Sequence, residues 1–130
     1  MSAQPPERDW FAKAEQDLEM ARRAMSAGNP LPAMACYHCQ QCAEKYLKGF
    51  LVSRSIAFRP VHDLLYLLQQ CSALQPAFEE LAPIVVILGR YGAGVRYPVQ
   101  GFEEPDVEAA NEAIKSAETV SAFVTQNMQL

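Results

Sequence analysis

The fold of this chain follows most directly from residues 37–50, which read Tyr37-His38-Cys39-Gln40-Gln41-Cys42-Ala43-Glu44-Lys45-Tyr46-Leu47-Lys48-Gly49-Phe50. Apolar side chains recur in this stretch every three or four positions, at Cys39, Cys42, Ala43, Tyr46, Leu47 and Phe50. That spacing places them on one face of an α-helix. The helix is predicted to run from about Leu31 to Arg54, roughly 35 Å, and to form the spine of a bundle.

Helical spacing also marks the segment that precedes this helix. Its apolar stripe is formed by Phe11, Ala14, Leu18, Ala21 and Met25. The polar residues assigned to the other faces are Lys13, Glu15, Gln16, Asp17, Glu19, Arg22 and Arg23. The first helix is predicted to end at Gly28-Asn29-Pro30, because glycine suits a helix C-terminus and proline breaks the pattern.

Three further helices are predicted after the spine. His62-Asp63 opens the third helix, and either residue suits its N-cap. Pro76 opens the fourth, in which Pro83 is expected to cause a kink or to delay the start. Pro105-Asp106 opens the last helix. With no convincing strand pattern and no internal repeat, the prediction is an all-α, up-and-down helical bundle of four to five helices. It forms one domain over residues 1–130, with a core at about 8–125.

Composition excludes several classes of protein. Half of the 130 residues are hydrophobic and a fifth are charged, as in ordinary globular domains. The longest apolar window, Ile84–Gly89, is far shorter than the roughly 20 residues of a membrane span, so no membrane association is expected. No signal-peptide pattern occurs at the N-terminus, and a cytoplasmic location with reduced cysteines is expected.

The charge of the chain argues against general affinity for nucleic acid but allows a local anion site. The net charge is −4. Between Lys45 and Arg96, however, six residues are basic and three are acidic. This local excess predicts either an anion-binding surface or ordinary solvated charge.

Cys36, Cys39 and Cys42 form a C-x-x-C-x-x-C pattern on the predicted second helix. Zinc needs four convergent ligands, which three residues rising along one helix cannot supply, so His38 or His62 would have to complete a site. Cysteine is also a common core residue. Core packing is the prediction and no metal or cofactor is expected, with a metal site and a redox role as the alternatives.

Two polar features suggest a ligand. His38, Gln41, Lys45 and Lys48 form a row along the second helix, which is either a solvated face or a set of donors for phosphate oxygens. The second feature is the stretch Arg90-Tyr91-Gly92-Ala93-Gly94-Val95-Arg96-Tyr97-Pro98. It matches no phosphate-binding glycine motif and is read as a ligand-facing loop or as a turn that closes the bundle.

The second-helix stretch, the His62-Asp63-Leu64 helix start and the later Arg96-Tyr97-Pro98 together resemble the HEPN domain family, over about residues 8–125. The resemblance implies a helical bundle that forms a homodimer. It also implies a minimal nucleotidyltransferase as partner, a toxin–antitoxin or nucleotide-handling role, and a nucleotide or RNA as ligand. The ligand-binding positions that it implies are Gln41, Lys45, Lys48, His62, Arg96 and Tyr97.

The catalytic signature of ribonucleases in this superfamily is not matched. That signature is an arginine, four to six residues, and a histidine. Here seven residues separate Arg54 from His62, and two separate Arg59 from His62. The chain therefore resembles the non-catalytic branch with the Arg-Tyr-Pro ending. A metal-independent ribonuclease that uses His62 with Arg54 or Arg59 is the alternative.

A further alternative is a non-catalytic dimerising scaffold whose only ligand is another chain. The large apolar residues available for its interface, or for the core, are Trp10, Phe58, Phe102 and Phe123.

Overall fold

The structure is a computed structural model that describes residues 4–26, 28–92, 95, 97–98, 101 and 103–128. Its five α-helices are α1 (Glu7–Ser26), α2 (Pro32–Ser53), α3 (Leu64–Leu74), α4 (Ala82–Leu88) and α5 (Val107–Met128). Two short 3₁₀ turns, Pro76–Leu81 and Gly89–Tyr91, flank α4. The described residues include no strand, and the predicted all-α bundle is confirmed.

α2 is the spine of the bundle and packs against each of the other four helices. Its predicted apolar face is fully or almost fully buried. The ring of Phe50 packs on the ring of Phe78 with centroids 4.4 Å apart, and Phe78 packs edge-to-face on Phe123 of α5 at 5.0 Å. These three rings join α2, the 3₁₀ turn and α5 in one core.

Close approach of α1 to α2 depends on Gly49. A Cβ atom at this position would lie 2.5 Å from Cε1 of Phe11 and 3.0 Å from Cβ of Trp10. Such distances are shorter than van der Waals contact, so only glycine allows the two helices to pack at this separation.

Side-chain chemistry explains where the later helices begin. The Asp63 carboxylate accepts hydrogen bonds from the backbone N–H groups of Leu65 and Tyr66, so Asp63, and not His62, caps α3. Pro76 begins a 3₁₀ helix, and the start of the α-helix is delayed, which is one of the two outcomes expected from Pro83. α4 begins only at Ala82, because Pro83 lacks an N–H group and is accommodated in a first helical turn.

All four cysteines are buried free thiols, which confirms the predicted core role of the second-helix cysteines. Burial raises the pKa of Cys36 to about 11 and those of Cys39 and Cys71 to about 12. The described residues contain no cluster of three or more His, Cys, Asp or Glu side chains suited to a metal ion. Among the described helices, none has the length and apolarity to cross a membrane.

Candidate functional site

The first polar cluster joins α1 to α2 through Asp17. Its Oδ1 atom lies 2.8 Å from Nδ1 of His38, and its Oδ2 atom accepts a hydrogen bond from Nζ of Lys45 at 2.5 Å. The Asp17 side chain is 10% exposed, whereas that of Lys45 is 27% exposed. A carboxylate accepts hydrogen bonds only, so the proton between Asp17 and His38 is on Nδ1. Asp17, His38 and Lys45 are called the Asp17 cluster below.

The second polar cluster joins α2 to the segment before α3 through Glu44. Both carboxylate oxygens lie 3.1 Å from Nδ1 of His62, and Oε2 accepts a hydrogen bond from Lys48 at 3.0 Å. Glu44 and Lys48 are buried, with 3% and 8% of their side chains exposed, while His62 is 77% exposed. Glu44, Lys48 and His62 are called the Glu44 cluster.

The ammonium group of Lys48 lies close to two aromatic rings, those of Trp10 and Phe58. Its Nζ atom is 5.9 Å from the ring centroid of Trp10 and 5.7 Å from that of Phe58. The two rings pack edge-to-face, with centroids 6.1 Å apart. The ammonium group is therefore stabilised by Glu44 and by cation–π attraction. Its interior position makes Lys48 a buried partner of Glu44, although the sequence placed it in a ligand-facing row.

Gln41 connects to His62 through the side chain of Gln40. The Gln41 amide donates to Oε1 of Gln40 at 2.7 Å, and the Gln40 amide donates to the His62 carbonyl oxygen at 3.5 Å, a long contact. Four of the predicted ligand-binding residues thus lie along one side of α2. Gln41 and Lys45 reach the surface in part, His62 is largely exposed, and Lys48 is buried.

The other two predicted ligand-binding residues come from the stretch before α5. Arg96 lies outside the described residues, as does Phe102, which was considered for an interface. Tyr97 is 57% exposed. These two positions of the predicted site remain predictions.

Neither arginine considered for ribonuclease chemistry is paired with His62. The Arg54 guanidinium packs on the ring of Phe50, with Cζ 5.0 Å from the centroid. Arg59 packs on the ring of Tyr66 at 4.3 Å, and its backbone N–H donates to the Tyr66 hydroxyl. That hydrogen bond and the nearby guanidinium lower the pKa of Tyr66.

A surface pocket of about 210 Å³ lies next to the Asp17 cluster. It is lined by Asp9, Trp10 and Lys13 of α1 and by Lys45 of α2. Lys45 therefore belongs to both features, and the pocket adds a mainly apolar surface of α1 beside the polar face of α2.

Asp17 and Glu44 organise the site, yet both were missed as functional candidates. Asp17 was assigned to the polar faces of the first helix and is buried. Its position beside Leu18 and three residues after Ala14, at the edge of the apolar stripe, was the available signal. Glu44 precedes Lys48 by four residues, which is the spacing of a helical ion pair.

Comparison with known proteins identifies the family to which this chain belongs. The HEPN domain family matches residues 7–127. The chain is 31% identical over 124 residues to the Methanocaldococcus jannaschii protein named Putative toxin MJ1304, a match that covers 85% of this chain and 80% of that protein.

Two solved structures are similar to this fold. One is TT1696 from Thermus thermophilus, with a TM-score of 0.78 and 30% identity. The other is ST0689, an archaeal HEPN homologue, with a TM-score of 0.75 and 31% identity. Each match covers 95% of this chain and 98% of the other.

Proposed function

The chain belongs to the HEPN domain family, and on that premise we propose that it binds a nucleotide or nucleotide-bearing substrate on the polar face of α2. In this proposal the protein acts in a toxin-like system of the cytoplasm. Similarity to a relative that carries the name of a toxin supports that role. The contacts of Gln41, Lys45 and His62 support the position of the site.

The observation that carries the proposal is the anchoring of one lysine and one histidine by buried carboxylates. Asp17 fixes Lys45, and Glu44 fixes His62, on the same side of α2. Side chains held in this way lose little conformational entropy when a ligand binds. Nδ1 of His62 faces Glu44, which leaves Nε2 of this exposed ring for a ligand.

Hydrogen bonding, more than net charge, accounts for affinity in this proposal. Lys45 and Lys48 are each paired with a carboxylate, so the two clusters add little positive charge. An ammonium group has three N–H donors, however, and the described hydrogen bond of Lys45 to Asp17 uses one of them. Binding is expected to be selective for ligand shape and only moderately sensitive to salt.

The test is calorimetric titration of the purified protein with ATP, GTP and UTP. Saturable binding by the wild type that is lost in Lys45→Ala supports the site. Lys115→Ala, which removes an exposed lysine of α5, is the matched control and should bind as the wild type does. Melting temperatures of both variants must be compared, because Lys45→Ala removes one partner of Asp17. Unchanged affinity in a folded Lys45→Ala protein would exclude this site.

A homodimer and a minimal nucleotidyltransferase partner complete the proposal. A groove lined by Leu65, Leu68 and Ala82, among others, runs between α3 and α4. Leu65 is 47% exposed and Val86, one turn beyond Ala82, is 55% exposed. These apolar side chains support an interface between two copies.

Light scattering tests the dimer through Val86→Glu. We expect the wild type to be a dimer and the variant to dissociate, while an exposed change elsewhere, Thr125→Glu, has no effect. A monomeric wild type at micromolar concentration would refute the dimer. Co-purification of this chain with a minimal nucleotidyltransferase tests the partner, and failure of the two proteins to associate would refute it.

Ribonuclease activity is a second candidate, favoured by the Glu44–His62 contact. A carboxylate that holds Nδ1 of a histidine leaves Nε2 able to exchange a proton with substrate. Arg54 and Arg59 contact aromatic rings instead, so neither of these two arginines is paired with His62. RNA cleavage that disappears in His62→Ala would support it, and cleavage that persists would identify a contaminant.

A further inference from the structure

The pocket next to Trp10 contains groups of three different kinds within a small space. Its lining combines the aromatic ring of Trp10 with the side chains of Lys13, Lys45 and Asp9, and its accessible surface is almost entirely apolar, so the charged ends of these side chains form little of the wall. Its volume of about 210 Å³ is smaller than the roughly 300–1,000 Å³ of pockets that enclose a drug-sized ligand. The pocket therefore suits a single planar ring system, with the rest of the ligand outside.

Trp10 is held in place from below. Its ring packs edge-to-face on Phe58 and covers the ammonium of Lys48, while its Cβ atom lies over Gly49. A ring fixed by these contacts is a preorganised stacking surface. Stacking of a nucleobase on an aromatic side chain is a strong and sequence-tolerant interaction.

The two lysines are suited to a phosphate group at the edge of the pocket. Lys45 is anchored by Asp17. Lys13 is exposed and forms no hydrogen bond or ion pair with any residue that the structure describes. Its ammonium is therefore available to a ligand without the loss of an existing contact.

Asp9 gives the pocket a means of distinguishing bases. A carboxylate accepts hydrogen bonds from the amino groups of adenine, cytosine and guanine, whereas uracil has no amino group. The same carboxylate would repel a phosphate group placed next to it. The amino group of the base is therefore assigned to the Asp9 carboxylate and the phosphate to the ammonium groups of Lys13 and Lys45.

Three other surface pockets have more carboxylates than cationic groups. Arg90 shares one pocket with Glu103, Glu104 and Asp106. Arg22 shares a second pocket with Glu15 and Glu118, and Glu79 is the only charged residue that lines the third. The pocket next to Trp10 is the one of these four whose lining residues include more lysines than carboxylates, and Lys13 is the lysine there that is not paired with Asp17.

We infer that this pocket receives the base of an amino-bearing nucleotide, which stacks on Trp10 while Lys13 and Lys45 bind the phosphate. The inference rests on the proposed function and adds to it the position of the base, the role of α1 and a preference against uracil. The nucleotide is either free or at the end of an RNA, since both present the same groups.

Fluorescence of Trp10 provides a direct test, because it is the sole tryptophan of the chain. Titration with AMP is expected to quench its emission, whereas ribose 5-phosphate, which has no base, should not. UMP should quench only at higher concentration, and Asp9→Ala should remove the difference between AMP and UMP. A short single-stranded RNA ending in adenosine is compared with AMP, because the natural ligand, whether a free nucleotide or the end of an RNA, should quench at the lower concentration.

Calorimetry with variants separates this inference from the proposed function. Trp10→Leu is expected to weaken AMP binding roughly 5- to 150-fold without a change for ribose 5-phosphate, and Trp10→Phe should restore most of the loss. Lys13→Ala, an exposed change, should weaken both ligands. If Trp10→Leu does not fold, the stacking position is tested by quenching of the wild-type protein. The Lys13→Ala and Asp9→Ala variants then test the phosphate contact and the preference for an amino-bearing base.

Two results would overturn the inference. AMP binding that is lost in Lys45→Ala but leaves Trp10 fluorescence unchanged would refute the stacking position and retain the proposed function. If no nucleotide binds to the protein, both the stacking position and the proposed function are refuted.

Discussion

Asp17 and Glu44 are buried carboxylates, and each holds one histidine and one lysine. Burial of a charge costs several kcal/mol unless it is paired and hydrogen-bonded. Each carboxylate here has two partners, which offset that cost and fix the partners' positions. At the residue scale, the polar face of α2 is thus a pair of clusters in which a buried carboxylate fixes the position of one lysine and one histidine.

Glu44→Ala is predicted to destabilise the protein by about 3–5 kcal/mol, because it leaves the ammonium of Lys48 buried without its carboxylate. The double variant Glu44→Leu with Lys48→Met removes both charges and should recover most of this loss. Urea unfolding of the wild type and both variants measures the difference. A single variant as stable as the wild type would show that Lys48 reaches solvent when Glu44 is absent.

The raised pKa values of the buried cysteine thiols predict that the protein loses stability at alkaline pH. Because the folded-state pKa of Cys36 is raised to about 11 and that of Cys39 to about 12, the folded protein retains protons that the unfolded chain releases. The free energy of unfolding should therefore be unaffected below the ordinary thiol pKa of about 8.5 and should fall above it.

Thiol alkylation at mildly alkaline pH tests the same property at the level of reactivity. The thiolate is the reactive species, and burial suppresses it in all four cysteines. We expect slow labelling of the native protein and rapid labelling after unfolding in urea. Rapid native labelling would contradict the buried positions of these side chains.

Packing of α1 on α2 is the principal helix–helix contact of the bundle, and Gly49 controls it at the element scale. Gly49→Ala is predicted to destabilise the protein by roughly 1 kcal/mol. The clash with Phe11 and Trp10 costs about 1–3 kcal/mol, and the gain in helix propensity, about 1 kcal/mol, offsets only part of it.

Gly89→Ala is the matched control for this prediction. Gly89 has helical φ and ψ values of −61° and −19°, and a Cβ atom there would meet nothing within 4 Å. The control should be neutral or stabilising by about 0.4–1 kcal/mol. Equal effects of the two changes in urea unfolding would mean that close packing at Gly49 is not important.

Helix positions were predictable because long apolar stripes determine them. The second helix, predicted from about Leu31 to Arg54, begins at Pro32 and ends at Ser53, with the two predicted end residues as its caps. The fourth helix begins at Pro76 as a 3₁₀ helix and becomes α-helical only at Ala82, because local signals compete there. Pro76 suits a helix start, but Pro83 restricts the α-helix to the residues that follow Leu81.

The geometry of the candidate site was predictable only in part, since its contacts join distant segments. Gln41 and Lys45 are partly exposed on α2, and His62 contacts Glu44 of the same helix. Burial of Lys48 depends on Trp10 and Phe58, which come from α1 and from the segment before α3. The spacing of residues within α2 cannot predict contacts with residues outside this helix. The role of Asp17 likewise became evident only when α1 was packed on α2.

At the scale of the whole molecule, an acidic protein concentrates its anchored lysines on one side of the bundle. The net charge of −4 disfavours phosphate over most of the surface. The α2 face, with the adjoining pocket on α1, combines lysines, a histidine and an aromatic ring. We expect a nucleotide to bind on this combined surface.

Two-dimensional ¹H–¹⁵N NMR of the full chain during titration with AMP tests that claim most directly. The predicted result is that saturable shifts are concentrated at Trp10, including its indole N–H, and at Lys13, Gln41, Lys45 and His62. The groove lined by Leu65 and Ala82 should remain unchanged. Shifts concentrated at the pocket lined by Arg90 and Asp106, or no shifts at all, would contradict the claim.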